Sequence, residues 1–233
     1  MKKVGFIIFI IALIIGVTFA NFFSWGKSSA RIFNFSVNVG GVKGSGNVQN
    51  EKRHVADFDA IEVGGVFDVE VVAQKEFSVE IEADDNLLQF IRTEVKGGTL
   101  EISTDKSISP KNAIRVRISA PDIDKVQTSG ASKLSLSNVK NDSLKVYASG
   151  ASKLKVDGET RDLEIELSGA SKIEAESLKA ENVDVDGSGA SCVSVNVSGD
   201  LKADLSGASK VTYTGNPRNL EKSTSGASSV RGK

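Results

Sequence analysis

One cysteine, one histidine, one tryptophan, one methionine, two tyrosines and three prolines are all that 233 residues contain of those types. A single cysteine excludes a disulfide within the chain, and cysteine and histidine are too few for a zinc site. The one histidine, His54, has no cysteine or carboxylate cluster around it in the sequence, so catalysis by a nucleophile lacks its usual base. An excess of one charge is missing too. The 29 Lys and Arg stand against 30 Asp and Glu with no basic, aromatic-interleaved patch, and nucleic acid is not an expected partner. The calcium-binding nonapeptide repeat is absent, and no cofactor is expected.

What the chain has instead is repetition. The tetrapeptide Ser-Gly-Ala-Ser begins at Ser129, Ser149, Ser168, Ser188, Ser206 and Ser225, at steps of 20, 19, 20, 18 and 19 residues. A period this regular marks stacked units, each too small to bury its own apolar face. Aligned on the glycine, aliphatic residues recur six before it (Leu144, Leu163, Val183, Leu201, Leu220) and four before it (Val126, Val146, Ile165, Val185, Ala203). They return four after it (Leu134, Leu154, Ile173, Val193, Val211, Val230) and six after it (Leu136, Val156, Ala175, Val195, Tyr213). A spacing of two is the strand period and sets these side chains on one face. Each unit reads as strand, Gly-Ala corner, strand, with Gly allowing positive φ and Ala small enough to tuck inside the bend.

Charged residues fill the alternate positions and must face water. The chain is therefore expected to be all-β: a single-stranded, right-handed parallel β-helix, or β-solenoid, with rungs of about 19 residues whose equivalent strands pair in parallel about 4.8 Å apart. A left-handed hexapeptide helix has nearly the same rung length, but its six-residue sub-period is missing. Upstream the grammar is noisier. Gly65 fits a corner, Ile114–Ile118 reads as a strand, and Leu87–Ile91 as a buried segment or helical turn. The Phe-rich half, with Phe58, Phe67, Phe77 and Phe90, should form the wider end of the solenoid. At the other end, either Asn216–Lys222 with Pro217 bends across the last rung, or the end is an interface open to end-to-end self-association.

Three ladders are candidate surfaces. Ser149, Ser168, Ser188 and Ser206 can bond local backbone or the Ser of the next rung, or present a flat hydroxyl surface to a glycan. Lys133, Lys153, Lys172 and Lys210 share a column with Cys192 and could attract an acidic cell-wall polymer. Glu166, Asp186 and Asp204 stack behind Tyr147, either as a plain solvated face or as a place where a cation offsets like charge. No catalytic residue is assigned.

At the N-terminus, Met1-Lys2-Lys3 precedes an apolar run from Val4 to Ala20 that continues into Phe22, Phe23 and Trp25. Residues 1–25 are expected to form a hydrophobic helix, either a signal peptide cleaved after Ala20 or an uncleaved membrane anchor. Residues 26–46 read as a stalk or linker, with alternation over Ile32–Val39 suggesting a strand, and residues 47–233 as the solenoid domain.

Gly44-Ser45-Gly46-Asn47-Val48, the stretch Asp57–Val69, Asp85-Asn86-Leu87-Leu88 and the repeated Ser-Gly-Ala-Ser together resemble the bacterial head GIN domain family of autotransporter-type adhesins, over about Gly44 to Lys233. The resemblance implies a β-solenoid presented in the cell envelope, with no enzymatic residues to carry over. This chain lacks the lipid-attachment cysteine of many similar proteins. The expected function is a non-enzymatic, exported adhesion or structural module that binds a surface polysaccharide or another envelope protein. The alternatives are a membrane-anchored sensor or accessory domain and a degenerate carbohydrate-active enzyme.

Overall fold

Each rung of this computed structural model turns at a glycine that no other residue could replace without moving the rung beneath it. Gly130, Gly150, Gly169, Gly189, Gly207 and Gly226 have φ between +75° and +84°, a region L-residues avoid. A Cβ on Gly169 would lie 2.5 Å from the carbonyl oxygen of Gly150, and one on Gly150 2.4 Å from that of Gly130. The reason is that the ladder runs straight through the corner. The N–H of Ala151 donates to Gly130 O, that of Ala170 to Gly150 O and that of Ala190 to Gly169 O, each at 2.8 Å.

The structure describes residues 41–233, which lie in one compact unit. The hydrophobic helix or anchor expected over residues 1–25, the stalk up to residue 40 and the strand expected over Ile32–Val39 lie outside the described residues. Among those described, no helix is long and apolar enough to cross a membrane.

The corner divides each rung between two walls of one β-solenoid. The wall before the corner runs, in spatial order, through Thr99–Thr104, Ala60–Gly65, Lys125–Gly130, the later halves of Lys133–Ala148, Lys153–Leu167 and Lys172–Gly187, then Asp200–Leu205 and Asn219–Thr224, all parallel. The wall after the corner runs through Arg115–Ser119, Asp68–Val72, the earlier halves of the same three long strands, Cys192–Val197, Lys210–Thr214 and Ser229–Gly232. A short third side closes the coil where Val139, Gly158 and Leu178 stack. The aliphatic columns read from the sequence are the core. Leu144, Val146, Ile165, Val185, Leu154, Ile173 and Val195 are all buried, and each sits on its counterpart in the next rung. Stacking like on like in this way removes apolar surface from water along the whole rod.

The N-terminal end departs from the regular pattern. Both walls finish there in antiparallel strands, Ile91–Lys96 against Thr99–Thr104 on one, and Ser78–Asp84 followed by Val48–Arg53 on the other. Phe58 and Phe77 pack at 5.0 Å between ring centroids, and Leu87 and Leu88 are buried around a short 3-10 turn. Val42–Lys43, which the sequence assigns to a linker, pairs in parallel with Ile108–Ser109. The lead-in is clamped from the far side of the chain. Ser45 Oγ and Asn47 Nδ2 donate to Asp85 at 2.5 and 2.9 Å, and Ser45 N donates to Asn86 Oδ1 at 2.8 Å. Beside them Asp84, fully buried, accepts from Asn112 Nδ2 at 2.7 Å and Lys111 N at 2.8 Å. Gly44 is obligatory there, because a Cβ would stand 1.9 Å from Asp84 Oδ2.

Two expectations are corrected. Ala does not tuck inside the corner. Ala151, Ala170 and Ala190 are exposed, and the second Ser is the inward residue, with Ser132, Ser152, Ser171, Ser191 and Ser209 all buried. From Ser152 on, the hydroxyl is satisfied within the turn: Ser152 Oγ donates to Ser149 O at 2.9 Å, Ser191 Oγ to Ser188 O at 3.0 Å, and Ser209 Oγ to Ser206 O at 3.0 Å, while Ser132 Oγ donates to Gly65 O of the rung beneath at 3.1 Å. Nor does Asn216–Lys222 bend across the last rung. Asn219–Thr224 continues the wall, pairing in parallel with Asp200–Leu205.

Candidate functional site

The outward positions on the two walls define what the solenoid offers to a partner. Third before each corner glycine stand Gln127, Tyr147, Glu166, Asp186 and Asp204, in direct register from strand to strand. The parallel ladder therefore repeats one side chain per rung, about 4.8 Å apart. An open groove of about 550 Å³ follows this column beside the corners, lined by Lys125, Gln127, Tyr147, Glu166 and Asp186 with Ser149, Ser168 and Ser188 along its rim.

Tyr147 anchors one end. Its hydroxyl donates to Glu164 Oε1 at 2.8 Å, and Lys125 Nζ lies 5.3 Å from its ring centroid. Burial first, then the bond to Glu164 and the charges of Glu164 and Glu166, push the phenol up to about 12, so Tyr147 stays a neutral donor at any ordinary pH. Glu164 is held below the usual carboxylate range by that bond and by Lys145, 3.1 Å away. Tyr147 thus reaches sideways to the neighbouring column and leaves Glu166 alone. Glu166, Asp186 and Asp204 make no hydrogen bond or ion pair among the described residues. The adjacent column is neutralised rung by rung, by Lys145 with Glu164 and by Lys202 with Asp184 at 3.2 Å.

The serines form no hydroxyl ladder. Ser149 and Ser188 are half-buried, with Oγ 3.5 and 3.4 Å from the carbonyls of Thr128 and Leu167, and Ser168 and Ser206 are exposed. Lys133, Lys153, Lys172 and Lys210 form one exposed column on the wall after the corner, with exposed Cys192 among them. Lys153 and Lys172 share Glu174 at 3.2 and 2.6 Å, while Lys133 and Lys210 have no such partner among the described residues. Lys125 and Gln127 line the groove without having been singled out from the sequence. Their membership of the Tyr147 column and its neighbour was the available signal.

Chemically the groove can bind and orient an extended ligand. Its carboxylates lie side by side on one wall, where they do not face each other across a bond. His54 belongs to a separate cleft near Arg53 and Phe77. Among the described residues no group of three or more His, Cys, Asp or Glu is placed to hold a metal ion.

Known proteins share this architecture. A putative adhesin from Bacteroides fragilis NCTC 9343 is similar at TM-score 0.69 and 21% identity, covering 83% of this chain and 100% of that one. A putative adhesin from Parabacteroides merdae ATCC 43184 is similar at TM-score 0.53 and 20% identity, covering 82% and 98%. At such identities the likeness concerns the fold. No curated protein matches the sequence. The family described as putative auto-transporter adhesin, head GIN domain, matches residues 57–217, most of the chain, and the protein belongs to that family.

Proposed function

We propose that this protein is a non-catalytic adhesion module of the cell envelope, exported and held outward by residues 1–25, whose contact surface is the groove beside the corners. Its ligand is an extended one, a surface glycan or another envelope component, since the groove offers the same kinds of group rung after rung and has no closed end. The observation that carries this reading is the unpartnered file of Glu166 and Asp186 in line with Tyr147, exposed hydrogen-bonding groups on a rigid wall that need no reorganisation to meet a ligand. Family membership supports export and adhesion.

The test is binding of the full chain to a glycan array and to isolated envelope fractions, compared with the triple variant Tyr147→Ala, Glu166→Gln, Asp186→Asn. All three side chains face outward, so the variant should unfold at nearly the same temperature and bind at least about tenfold more weakly. Equal binding by the two chains would contradict the reading.

A further inference from the structure

Opposite charges flank the corners of Gly169 and Gly207, a neutral polar side chain stands across from lysine at Gly150 and Gly130, and at Gly189 Asp186 stands across from Cys192. At the corner of Gly169, Glu166 stands on one side and Lys172 on the other; at Gly207 the pair is Asp204 and Lys210; at Gly150 it is Tyr147 and Lys153; at Gly130 it is Gln127 and Lys133. Each is three residues from its glycine, one on each wall. At the Gly65 corner Val66 stands exposed, whereas from Gly130 to Gly207 no exposed residue between the flanks is longer than serine, and Ala151, Ala170, Ala190 and Ala208 are exposed along the ridge. A facing surface can approach the backbone closely there.

We propose that this ridge is a self-association surface on which two copies of the chain lie parallel, related by a two-fold axis running along the ridge. The partner so named occupies the contact surface proposed above and rests on that reading. Symmetry and charge together fix the orientation. Rotation by half a turn about an axis parallel to the ridge brings the flank that holds Glu166 and Asp204 in each copy against the lysine flank of the other, at the same heights. Glu166 then faces Lys172 of the partner subunit, Asp204 faces Lys210 of the partner subunit, and Tyr147 faces Lys153 of the partner subunit, each twice by symmetry. Rotation about an axis perpendicular to the ridge would set acid against acid. Among the described residues Glu166, Asp204 and Lys210 have no partner in their own chain, which leaves them to pair across the axis. One corner opposes the contact: at Gly65 both flanks are acidic, Glu62 and Asp68. The parallel arrangement places the first rungs of both copies at one end.

The experiment uses the full chain with one cysteine, Ala190→Cys in a Cys192→Ser background, oxidised in cell envelopes and read on a non-reducing gel. The two-fold axis brings position 190 of both copies together, so a disulfide-linked dimer is expected. A control cysteine on the third side, Lys140→Cys in the same background, should give none. Sedimentation of the purified full chain should show a dimer at low salt that dissociates as salt rises. Asp204→Lys should weaken it about tenfold, and Asp204→Lys with Lys210→Asp should restore it. Cross-linking at 190 no stronger than at 140, or a charge swap that does not restore association, overturns the proposal. A chain that stays monomeric yet binds a glycan or envelope fraction through the groove removes only the second copy as partner. A chain that does neither removes the adhesion reading as well.

Discussion

Ser191 Oγ donates to the carbonyl of Ser188 at 3.0 Å, closing the Gly189–Ala190 corner on itself from the inside of the solenoid. The bond makes the two serines of each tetrapeptide unequal. Ser191 is 1% exposed and its hydroxyl has a partner at good distance, whereas Ser188 is half-buried and its hydroxyl lies 3.4 Å from the nearest carbonyl. Ser191→Ala should therefore cost about 1 kcal/mol, and Ser188→Ala less than about 0.5 kcal/mol, measured by urea unfolding. The same ordering should hold for Ser152 against Ser149 and for Ser209 against Ser206, with the costs of distant corners adding.

The corner glycines should separate from other glycines of positive φ. Gly169→Ala suffers both the left-handed backbone, φ +78°, and a Cβ 2.5 Å from Gly150 O, and should lose more than about 2 kcal/mol. Gly97 has φ +56° and open space within 4 Å of where a methyl would stand, so Gly97→Ala should lose only about 1 kcal/mol. Equal losses at the two sites would show that rung contact through the corner is not limiting.

The clamp at Asp84 sets an acid limit on stability. Hydrogen bonds from Asn112 first, and then from the backbone of Lys111, Asn112 and Gly46, outweigh desolvation and hold the Asp84 carboxyl below its ordinary 3.8. A carboxyl depressed in the folded state stabilises fully above the unfolded value, and this contribution fades as pH falls below 3.8 towards the folded value. Thermal unfolding between pH 5 and 2 should show this loss in the natural chain and a flatter profile in Asp84→Asn. Gly44→Ala, which drives a methyl into Asp84 Oδ2, should mimic acidification at neutral pH.

The last rung carries a charge where the other rungs carry aliphatic side chains. In the inward column that holds Val146, Ile165, Val185 and Ala203, the last rung carries Lys222, and beside it Leu220 is 41% exposed. An inward-pointing charge on an edge strand discourages pairing with another edge. Lys222→Val should therefore promote end-to-end association, seen as a concentration-dependent rise in mass by light scattering, while Glu221→Val on the outer face should do so much less.

The rungs, their registers and the inner and outer columns were legible because a solenoid repeats one decision many times. Val146, Ile165 and Val185 each repeat the same reading, so noise at one rung is corrected by the next. The corner misled because side-chain chemistry was read ahead of geometry. Alternation carried through Gly169 puts Ser171 inside and Ala170 outside, but serine looked polar and alanine apolar; the bond from Ser171 to Ser168 O at 3.2 Å removes the conflict. The groove was half legible, since Glu166, Asp186 and Tyr147 were aligned by period alone. The sideways bond from Tyr147 to Glu164 depends on rotamers that no spacing encodes. The clamp joining Gly44–Asn47 to Asp84–Asn86 links segments some forty residues apart without a repeat to connect them, which is why the sequence showed them only as separate stretches.

That the corners form one straight ridge underlies both the packing and the contact surface. Spin labels at Ala131→Cys and Ala227→Cys in a Cys192→Ser chain, diluted with unlabelled protein, measure it directly. Five rungs at about 4.8 Å place the two Cα atoms about 24 Å apart, and a single narrow distance distribution near that value is expected. A broad distribution, or one centred far beyond it, would contradict the stacked corners and the surface built on them.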